Sequence, residues 1–357
     1  MSAAAADARP RYRAPDLVDF ATRLFTCLRL PEDRARDVAE ILVESDLLGH
    51  STHGLGMAPR YLSSLDEGGM TREGEPETAA DSGAALVWDG HYLPGPWLMR
   101  RAIAFARQRL EAHPVVTLAL RRAHHIGCLQ AYLKPVTDEG LVILLTCSDP
   151  AGAGVAAHGG LQSVVTPNPL AAGLPTEGEP ILFDISMSTT TNAMTKRVFD
   201  EGGRLAGPWL VDADGRATDD PAVLFGARRG AILPLGGLEL GHKGFALALL
   251  VEALTSGLAG HGRVEKPDEW GASVFLQLID PERFAGRAVF RRQMSWLADA
   301  CRASATAPGG PPVRLPGQAA LSRRARQLAE GVELYPTILD ALRPWAERLS
   351  VTLPSPV

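Results

Sequence analysis

Cys147-Ser-Asp-Pro-Ala-Gly-Ala-Gly-Val-Ala-Ala-His158 is the stretch on which the fold class turns. Within it, Gly152-Ala-Gly-Val-Ala-Ala157 spells GxGxxA, the spacing of a dinucleotide-binding turn, and it follows a strand-like run, Leu141-Val-Ile-Leu-Leu-Thr146. In such a turn the first glycine ends the strand and the last position opens a helix, so that a phosphate meets free N–H groups. Here Cys147-Ser-Asp-Pro-Ala151 intervenes after the strand, and His158-Gly-Gly-Leu-Gln-Ser-Val-Val165 leads on to more extended chain. The segment reads as a surface turn. A doubly wound parallel sheet is set aside.

Outward from that turn, the pattern is mixed. Residues 15–30 place Leu17, Phe20, Leu24 and Leu28 at helical spacing. Residues 31–48 open with Pro31-Glu-Asp, as helix starts prefer, and stop at Gly49. A third helix is expected over 57–67, closed by Gly68-Gly69. From about residue 84, strand-like runs (Ala85-Leu-Val-Trp88, Val115-Val-Thr-Leu118, Ile181-Leu-Phe183, Ser273-Val-Phe-Leu-Gln-Leu278) alternate with helical runs at 96–112, 128–139, 242–259 and 288–303. Amphipathic helices return at 318–330 and 336–349, after a Pro/Gly-rich connector over 303–316. The expectation is an α+β chain. A mixed-sheet body over 76–317 stands beside a mainly helical domain of residues 1–75, which the C-terminal segment 318–357 joins.

Composition bounds the function. A chain of 357 residues is long for one core. With 46% hydrophobic and 22% charged residues it is an ordinary globular sequence, and a net charge of −5 gives no reason to expect nucleic acid or an anionic membrane as partner. Cys27, Cys128, Cys147 and Cys301 form no CxxC, which indicates neither a disulfide frame nor structural zinc. The N-terminus lacks the apolar region of a signal peptide, and the longest apolar run, 245–258, is too short to span a bilayer. A cytoplasmic location is expected by default.

Chemistry gathers at Ser45-Asp-Leu-Leu-Gly-His-Ser-Thr-His-Gly-Leu-Gly-Met-Ala-Pro-Arg-Tyr61, a helix-to-helix junction. Thr52 can hydrogen-bond His53, and Gly54 lets the chain turn beside it, which suits a proton donor near neutral pH. His50 reads more simply as a capping or surface residue. His124-His125 end a strand before a helix, a place where α/β proteins bind ligands, although a buried structural histidine fits as well. No spaced carboxylate or third ligand accompanies either histidine pair, so no metal is expected. Only four residues are lysine, and one of them, Lys243, is expected to begin an apolar, buried helix after Gly236-Gly-Leu-Glu-Leu-Gly-His. A cation there opposes the helix dipole, so an anionic ligand or a nearby carboxylate should neutralise it. Asp184-Ile-Ser-Met-Ser-Thr-Thr-Thr-Asn192 can hold a ribose and phosphates, or can be a helix cap with a hydroxyl-rich first turn.

In order along the chain, Gly49-xxx-His53-Gly, Ala-His-His-Ile-Gly127, Pro167-Asn-Pro169, Asp184-Ile-Ser-Met-Ser188, Asp214-Gly-Arg-Ala-Thr-Asp-Asp-Pro221, Gly241-His-Lys-Gly-Phe-Ala-Leu247, Arg314-Leu-Pro-Gly317 and Glu330-Gly-Val332 resemble the non-Rossmann malate/L-lactate dehydrogenase family. The resemblance runs from about residue 15 to 350. It implies a homodimer with its active site at the subunit contact, and an NAD or NADP cofactor on an unusual mixed sheet. It further implies hydride transfer between the nicotinamide and C2 of a 2-oxo, 2-hydroxy or 2-imino acid. By the same resemblance His53 is the proton donor, oriented by Thr52. His125, Ile126, Gly127, Cys128 and Leu129 lie along the cofactor, and Asn168, Asp184, Ile185 and Ser186 contact it. Lys243, Gly244, Gly317 and Arg323 complete its site, while Tyr61 and Asp149 belong to the substrate pocket.

Three positions depart from the family pattern. Thr52 replaces a usual serine, Met57 a common carboxylate-gripping arginine, and Pro167 a usual threonine. Met57 points to a substrate with an apolar side chain, which moves the carboxylate anchor elsewhere, with Arg60 the candidate. Three other readings remain at this level: a ketimine carboxylate reductase, a cofactor-binding homologue that these changes have inactivated, and a metal-dependent hydrolase.

Overall fold

The computed structural model describes residues 9–357. The first residues of the N-terminus, on which the reading of a missing leader rests, lie outside them.

The chain opens with β1 (Arg11–Tyr12), α1 (Ala14–Cys27), α2 (Glu32–Leu48), a 3-10 turn at Leu55–Met57 and α3 (Ala58–Glu67). There follow β2 (Glu77–Asp81), β3 (Ala85–Asp89), α4 (Gly95–Arg109), β4 (Val115–Ala123), a 3-10 turn at Leu129–Tyr132, α5 (Leu133–Asp138) and β5 (Val142–Ser148). The middle of the chain holds β6 (Val155–Ala156), β7 (Ser163–Val165), β8 (Leu170–Leu174), β9 (Ile181–Ile185), α6 (Asn192–Asp200), β10 (Leu210–Val211), β11 (Ala217–Thr218) and β12 (Ala231–Ile232). Last come α7 (Gly237–Glu252), a π turn at Ala253–Gly257, β13 (Ala272–Ile279), α8 (Arg287–Arg302), α9 (Gln318–Glu330), β14 (Val332–Glu333) and α10 (Thr337–Arg348).

The main sheet has the order β2-β3-β4-β13-β5-β8-β9. Only β3 and β4, joined by the α4 crossover, run parallel; every other neighbouring pair in it is antiparallel. Such a sheet has no row of parallel carboxyl ends, so a Rossmann-type crevice cannot form on it. The GxGxxA stretch accordingly passes from a turn into β6, with no helix after it. β13 lies between β4 and β5 along its whole length and is buried on both faces, as its mostly apolar sequence, broken only by Ser273 and Gln277, favours. Trp97, Leu98, Ile103 and Ala106 of α4 pack on that sheet in one cluster with Leu118, Leu120, Val274 and Leu276.

A second cluster joins the two ends of the chain. Leu17, Leu24 and Phe25 of α1, Val38 and Leu42 of α2, and Leu62 and Leu65 of α3 pack with Val332 of β14 and Ile338 and Leu342 of α10. A third, smaller cluster holds a five-stranded sheet, β11-β10-β12-β6-β7, against Ala248 and Val251 of α7.

Two expectations about α7 are corrected. The helix starts at Gly237 rather than near residue 242, so Lys243 lies in its second turn and does not oppose the dipole at its start. Nor is the helix buried in the single chain: Leu238, Leu240, Leu247, Leu249 and Leu250 are all exposed. The short strands of the small sheet, β2, β8 and α6 have no strong periodic signal in the sequence, and the reading missed them.

α9 is tied to the end of α2 by one side chain. Buried Gln327 donates from Nε2 to the carbonyls of Asp46 (3.0 Å) and Leu47 (2.9 Å), and its Oε1 accepts from the Glu333 N–H (2.9 Å). Gln327→Leu would strand the Leu47 carbonyl, at roughly 1–3 kcal/mol, while the Asp46 carbonyl keeps the Gly49 N–H (2.9 Å) and the N–H of exposed Glu333 can turn to water. Urea unfolding should show a loss of about 1–3 kcal/mol at an unchanged m value; a loss below about 1 kcal/mol would mean water replaces the amide.

Candidate active site

A cleft of about 1180 Å³ opens where the α2–α3 junction meets the ends of β4 and β5, and continues past the loops after β7 and β9 to the start of α6. Thr52, His53, Met57 and Arg60 line it from the junction, and His125 through Leu129 from the segment after β4. Asp149, Asn168, Asp184 and Ser186 line it from the sheet side.

The junction is held from beneath. Asp46, buried near the end of α2, accepts a hydrogen bond on Oδ2 from the Leu55 N–H (2.7 Å). Gly54 lies flat over that carboxyl, so close that a Cβ would collide with it, and no other residue fits the position. The His53 N–H donates to the His50 carbonyl (2.8 Å), and Arg197 of α6 donates to Ser51 Oγ (3.0 Å). His50 is no free surface residue: its Nε2 is 2.7 Å from Gln130 Oε1.

The histidines lie in a column of rings. His53 and His125 are nearly parallel, 5.7 Å apart and inclined by 27°. Trp270 stacks on His125 at 4.9 Å, and the Arg60 guanidinium lies 3.5 Å over the Trp270 ring. Each histidine is engaged at Nδ1, His53 by Thr52 Oγ1 (3.0 Å) and His125 by Tyr61 Oη (2.7 Å). Among the described residues neither Nε2 has a hydrogen-bond partner, and both rings line the cleft. Two open imidazole nitrogens facing one cavity can hand a proton to, and hold, an oxygen that gains negative charge.

Comparison with known proteins agrees with that chemistry. The family model described as malate/L-lactate dehydrogenase matches residues 12–343. The chain belongs to the malate/L-lactate dehydrogenase family. It is 30% identical to an L-lactate dehydrogenase of Cupriavidus necator, over 94% of this chain and 97% of the relative. It is 32% identical to a Delta(1)-pyrroline-2-carboxylate/Delta(1)-piperideine-2-carboxylate reductase of Pseudomonas syringae pv. tomato, over 92% and 94%. A solved dehydrogenase from Sinorhizobium meliloti, 30% identical, superposes with a TM-score of 0.82 over 94% of this chain and 97% of that one.

This malate/L-lactate dehydrogenase family member is therefore an oxidoreductase acting at C2 of a 2-hydroxy or 2-oxo acid with a nicotinamide cofactor. The donor set of the cleft fits such a dinucleotide. Its volume exceeds that of an ordinary small-molecule pocket, one end is walled by imidazole and indole, and the other carries Ser186, Thr190, Thr191, Asn192 and Arg229. Hydroxyls, an amide and a cation suit ribose and phosphate. The Ser/Thr run is also partly a helix cap, since Thr191 Oγ1 accepts the Met194 N–H at the start of α6.

Several expected site residues lie elsewhere. Lys243 is exposed on α7, and Gly244 packs against the Leu235 backbone; neither lines the cleft. Gly317 lies against Leu182 of β9, and the Arg323 side chain against Gly49. Ile185 is exposed at the end of β9. Tyr61 is fully buried and reaches the site only through the rings it touches, His125 and Trp270. Asn168 lines the cleft, but its amide is spent on the Ala248 carbonyl (3.2 Å) and Glu252 Oε1 (3.0 Å). Trp270 and Gln130 were missed. The available signal for Trp270 was its place just before a strand, but only the pairing of that strand with β4 sets it against His124-His125.

Burial sets the protonation states. His124, against Ser64 Oγ (3.0 Å), falls to about 3, and His125 falls well below the imidazole range, through burial and then the charges of His53, His124 and Arg60. His53 is also lowered by burial, but Asp184 works in the opposite direction and favours its charged form. Burial raises Asp46 to about 7, against the pull of the Leu55 N–H and of Arg197. Folded Asp46 thus keeps a proton that the unfolded chain releases near 3.8. Its contribution to stability is complete below that pH and is lost as pH climbs towards 7. Asp46→Asn keeps an acceptor for Leu55 and removes the titration. The fall in melting temperature between pH 5 and pH 8 should be smaller in the variant; an identical slope would show that Asp46 is not the group responsible.

Proposed function

We propose that the enzyme interconverts a monocarboxylic 2-oxo acid bearing an apolar side chain and its 2-hydroxy acid, with His53 carrying the proton. The observation behind this is the parallel histidine pair, of which only His53 faces a carboxylate, Asp184. When bound, the nicotinamide supplies or takes the hydride. His125 stays neutral because burial disfavours its charged form and the neighbouring charges, Arg60 among them, act in the same direction, and it holds the substrate oxygen by hydrogen bonding. Tyr61 fixes the plane of the His125 ring, and Thr52 fixes that of His53. Met57 gives the pocket an apolar wall, Arg60 takes the substrate carboxylate, and Asp149 borders the same end. His125 through Leu129, Asn168, Asp184 and Ser186, which line the cleft, lie along an NAD or NADP cofactor.

A panel of 2-oxo acids, assayed with NADH and with NADPH and with or without methylamine, tests the reading and separates oxo from imino substrates. His53→Ala should slow turnover by roughly 10²–10⁴-fold with cofactor binding nearly intact. Reduction needs the imidazolium, so its rate should fall with rising pH through an inflection on the acid side of 6.5, the ordinary imidazole value, while oxidation rises through the same range. Asp184→Asn removes the charge that favours imidazolium, so both inflections should move to lower pH. Inflections that stay in place would take the proton away from His53.

We also propose a homodimer in the cytoplasm, built on the exposed apolar face of α7. A helix apolar on nearly all sides needs a cover, and this one keeps Leu247 40% and Leu250 47% exposed. The four cysteines are free thiols, as in a reducing compartment. Lys243 is exposed on the same helix, so its cation has a place at the subunit contact rather than in the cleft of one chain. Replacing both Leu247 and Leu250, which share a face, with Glu should convert the sedimenting species from dimer to monomer at micromolar concentration. An unchanged dimer would move the contact to another surface.

A further inference from the structure

Met57 immediately precedes α3, and Arg60 follows one turn later, so the two positions are neighbours on the helix surface. We propose that the carboxylate grip of this enzyme lies on Arg60 in place of residue 57, and that Trp270 is the positioning residue that makes Arg60 fit for the task. The proposal deepens the 2-oxo-acid reading and rests on it.

Arg60 lines the cleft with its guanidinium 3.5 Å over the indole of Trp270. Stacking uses the face of the guanidinium and leaves its in-plane N–H fork free, the geometry that binds a carboxylate through two parallel hydrogen bonds. Among the described residues that fork has no hydrogen-bond or ion-pair partner. Burial makes the charge harder to keep, and the nearby Asp149 only partly offsets this. Asp149 is not within ion-pair distance, and its Oδ1 is spent on the Ala151 N–H (3.0 Å). Arg60 is exposed to the cleft, so in the free chain water meets its fork, and an arriving carboxylate finds that fork unopposed by any protein partner.

Trp270 is itself fixed on three sides. It stacks on His125 at 4.9 Å, and His124 and Tyr61 meet it edge-on at 4.8 and 5.7 Å. The next residue must be glycine: a Cβ on Gly271 would come within 2.7 Å of the Ala123 carbonyl oxygen and 3.0 Å of the Tyr92 ring. That close approach presses Trp270 onto the end of β4. The column Arg60–Trp270–His125–His53 therefore sets the carboxylate anchor at a fixed height above the two imidazoles that face C2. A flexible arginine without the indole would hold the carboxylate with no such registration.

The test uses oxamate, an unreactive 2-oxo-acid isostere, titrated calorimetrically into the protein with saturating NADH or NADPH, together with kcat and KM for the best substrate of the panel. Arg60→Ala should weaken oxamate by roughly 10–150-fold, the worth of hydrogen bonds to a charged group, with the cofactor dissociation constant unchanged. Trp270→Leu should weaken it about 10-fold and raise KM more than it lowers kcat, Trp270→Phe should recover most of the loss, and Arg60→Ala/Trp270→Leu should bind no worse than Arg60→Ala alone. Adding Met57→Arg to Arg60→Ala should restore part of the affinity. Undiminished oxamate binding by Trp270→Leu, or losses that multiply in the double variant, would overturn the proposal, as would an unsubstituted protein that does not bind oxamate. Oxamate binding that depends on Arg60 in a protein that reduces no 2-oxo acid would sink the functional reading and leave the carboxylate grip standing.

Discussion

The site depends on β13 being inserted between β4 and β5. The sequence separates that strand from β5 by more than a hundred residues, yet it forms antiparallel ladders with both neighbours along Ala272–Ile279. Its first residues therefore arrive where β4 ends in His124-His125 and where β5 ends before Asp149. Trp270, just ahead of the strand, has no other place to go. A parallel strand in this slot would put its opposite end there and leave the histidines without their indole. The same insertion buries β13 on both faces, so the scaffold beneath the site is the most desolvated part of the sheet.

The other wall is held by the two ends of the chain. α2 and α3 carry the histidine-bearing junction, and α9 clasps the end of α2 through Gln327. Under the junction, Asp46 trades the cost of a buried carboxyl for a fixed Leu55 N–H. Its second oxygen has no partner among the described residues. Strain of this kind is tolerated where geometry must be kept, and here it fixes the residue that flanks His53 by two positions.

Much of this was legible in the sequence. The long periodic helices and the strands at 115–118, 141–146 and 273–278 follow from apolar spacing, and the rejection of the GxGxxA turn rested on the five residues that delay it. The junction around His53 was readable because Thr52, His53 and Gly54 are adjacent, so their chemistry needs no tertiary information. Trp270 was not readable, because its meaning depends on a strand partner far away in sequence. Lys243 misled for a related reason. Gly236 and Gly237 looked like loop, and the helix in fact begins on them, since glycine tolerates a left-handed start (φ +102° at Gly236) and the following residues supply the turns. The two- and three-residue strands of the small sheet carry too few residues for any period to show.

The three departures from the family pattern bear on whether the site can work, and in each the lost group is replaced nearby. Thr52 keeps the hydroxyl that bonds His53, adding only a methyl group. Pro167 lacks a hydroxyl, but Thr166 beside it supplies one, donating to Asn168 Oδ1 at 2.7 Å. Met57 lacks a cation, and Arg60 supplies one a turn later, stacked in place by Trp270. Loss of function leaves such positions free to drift independently, with idle polar partners left behind. Here Asn168 is satisfied on every side, the His53 ring is oriented, and the Arg60 fork, which has no partner among the described residues, faces the cleft together with the open Nε2 atoms of His53 and His125. An idle donor set at the single position where substrate charge has to be met is what a working site requires, and it is the feature that an inactive cofactor-binding homologue has no reason to keep.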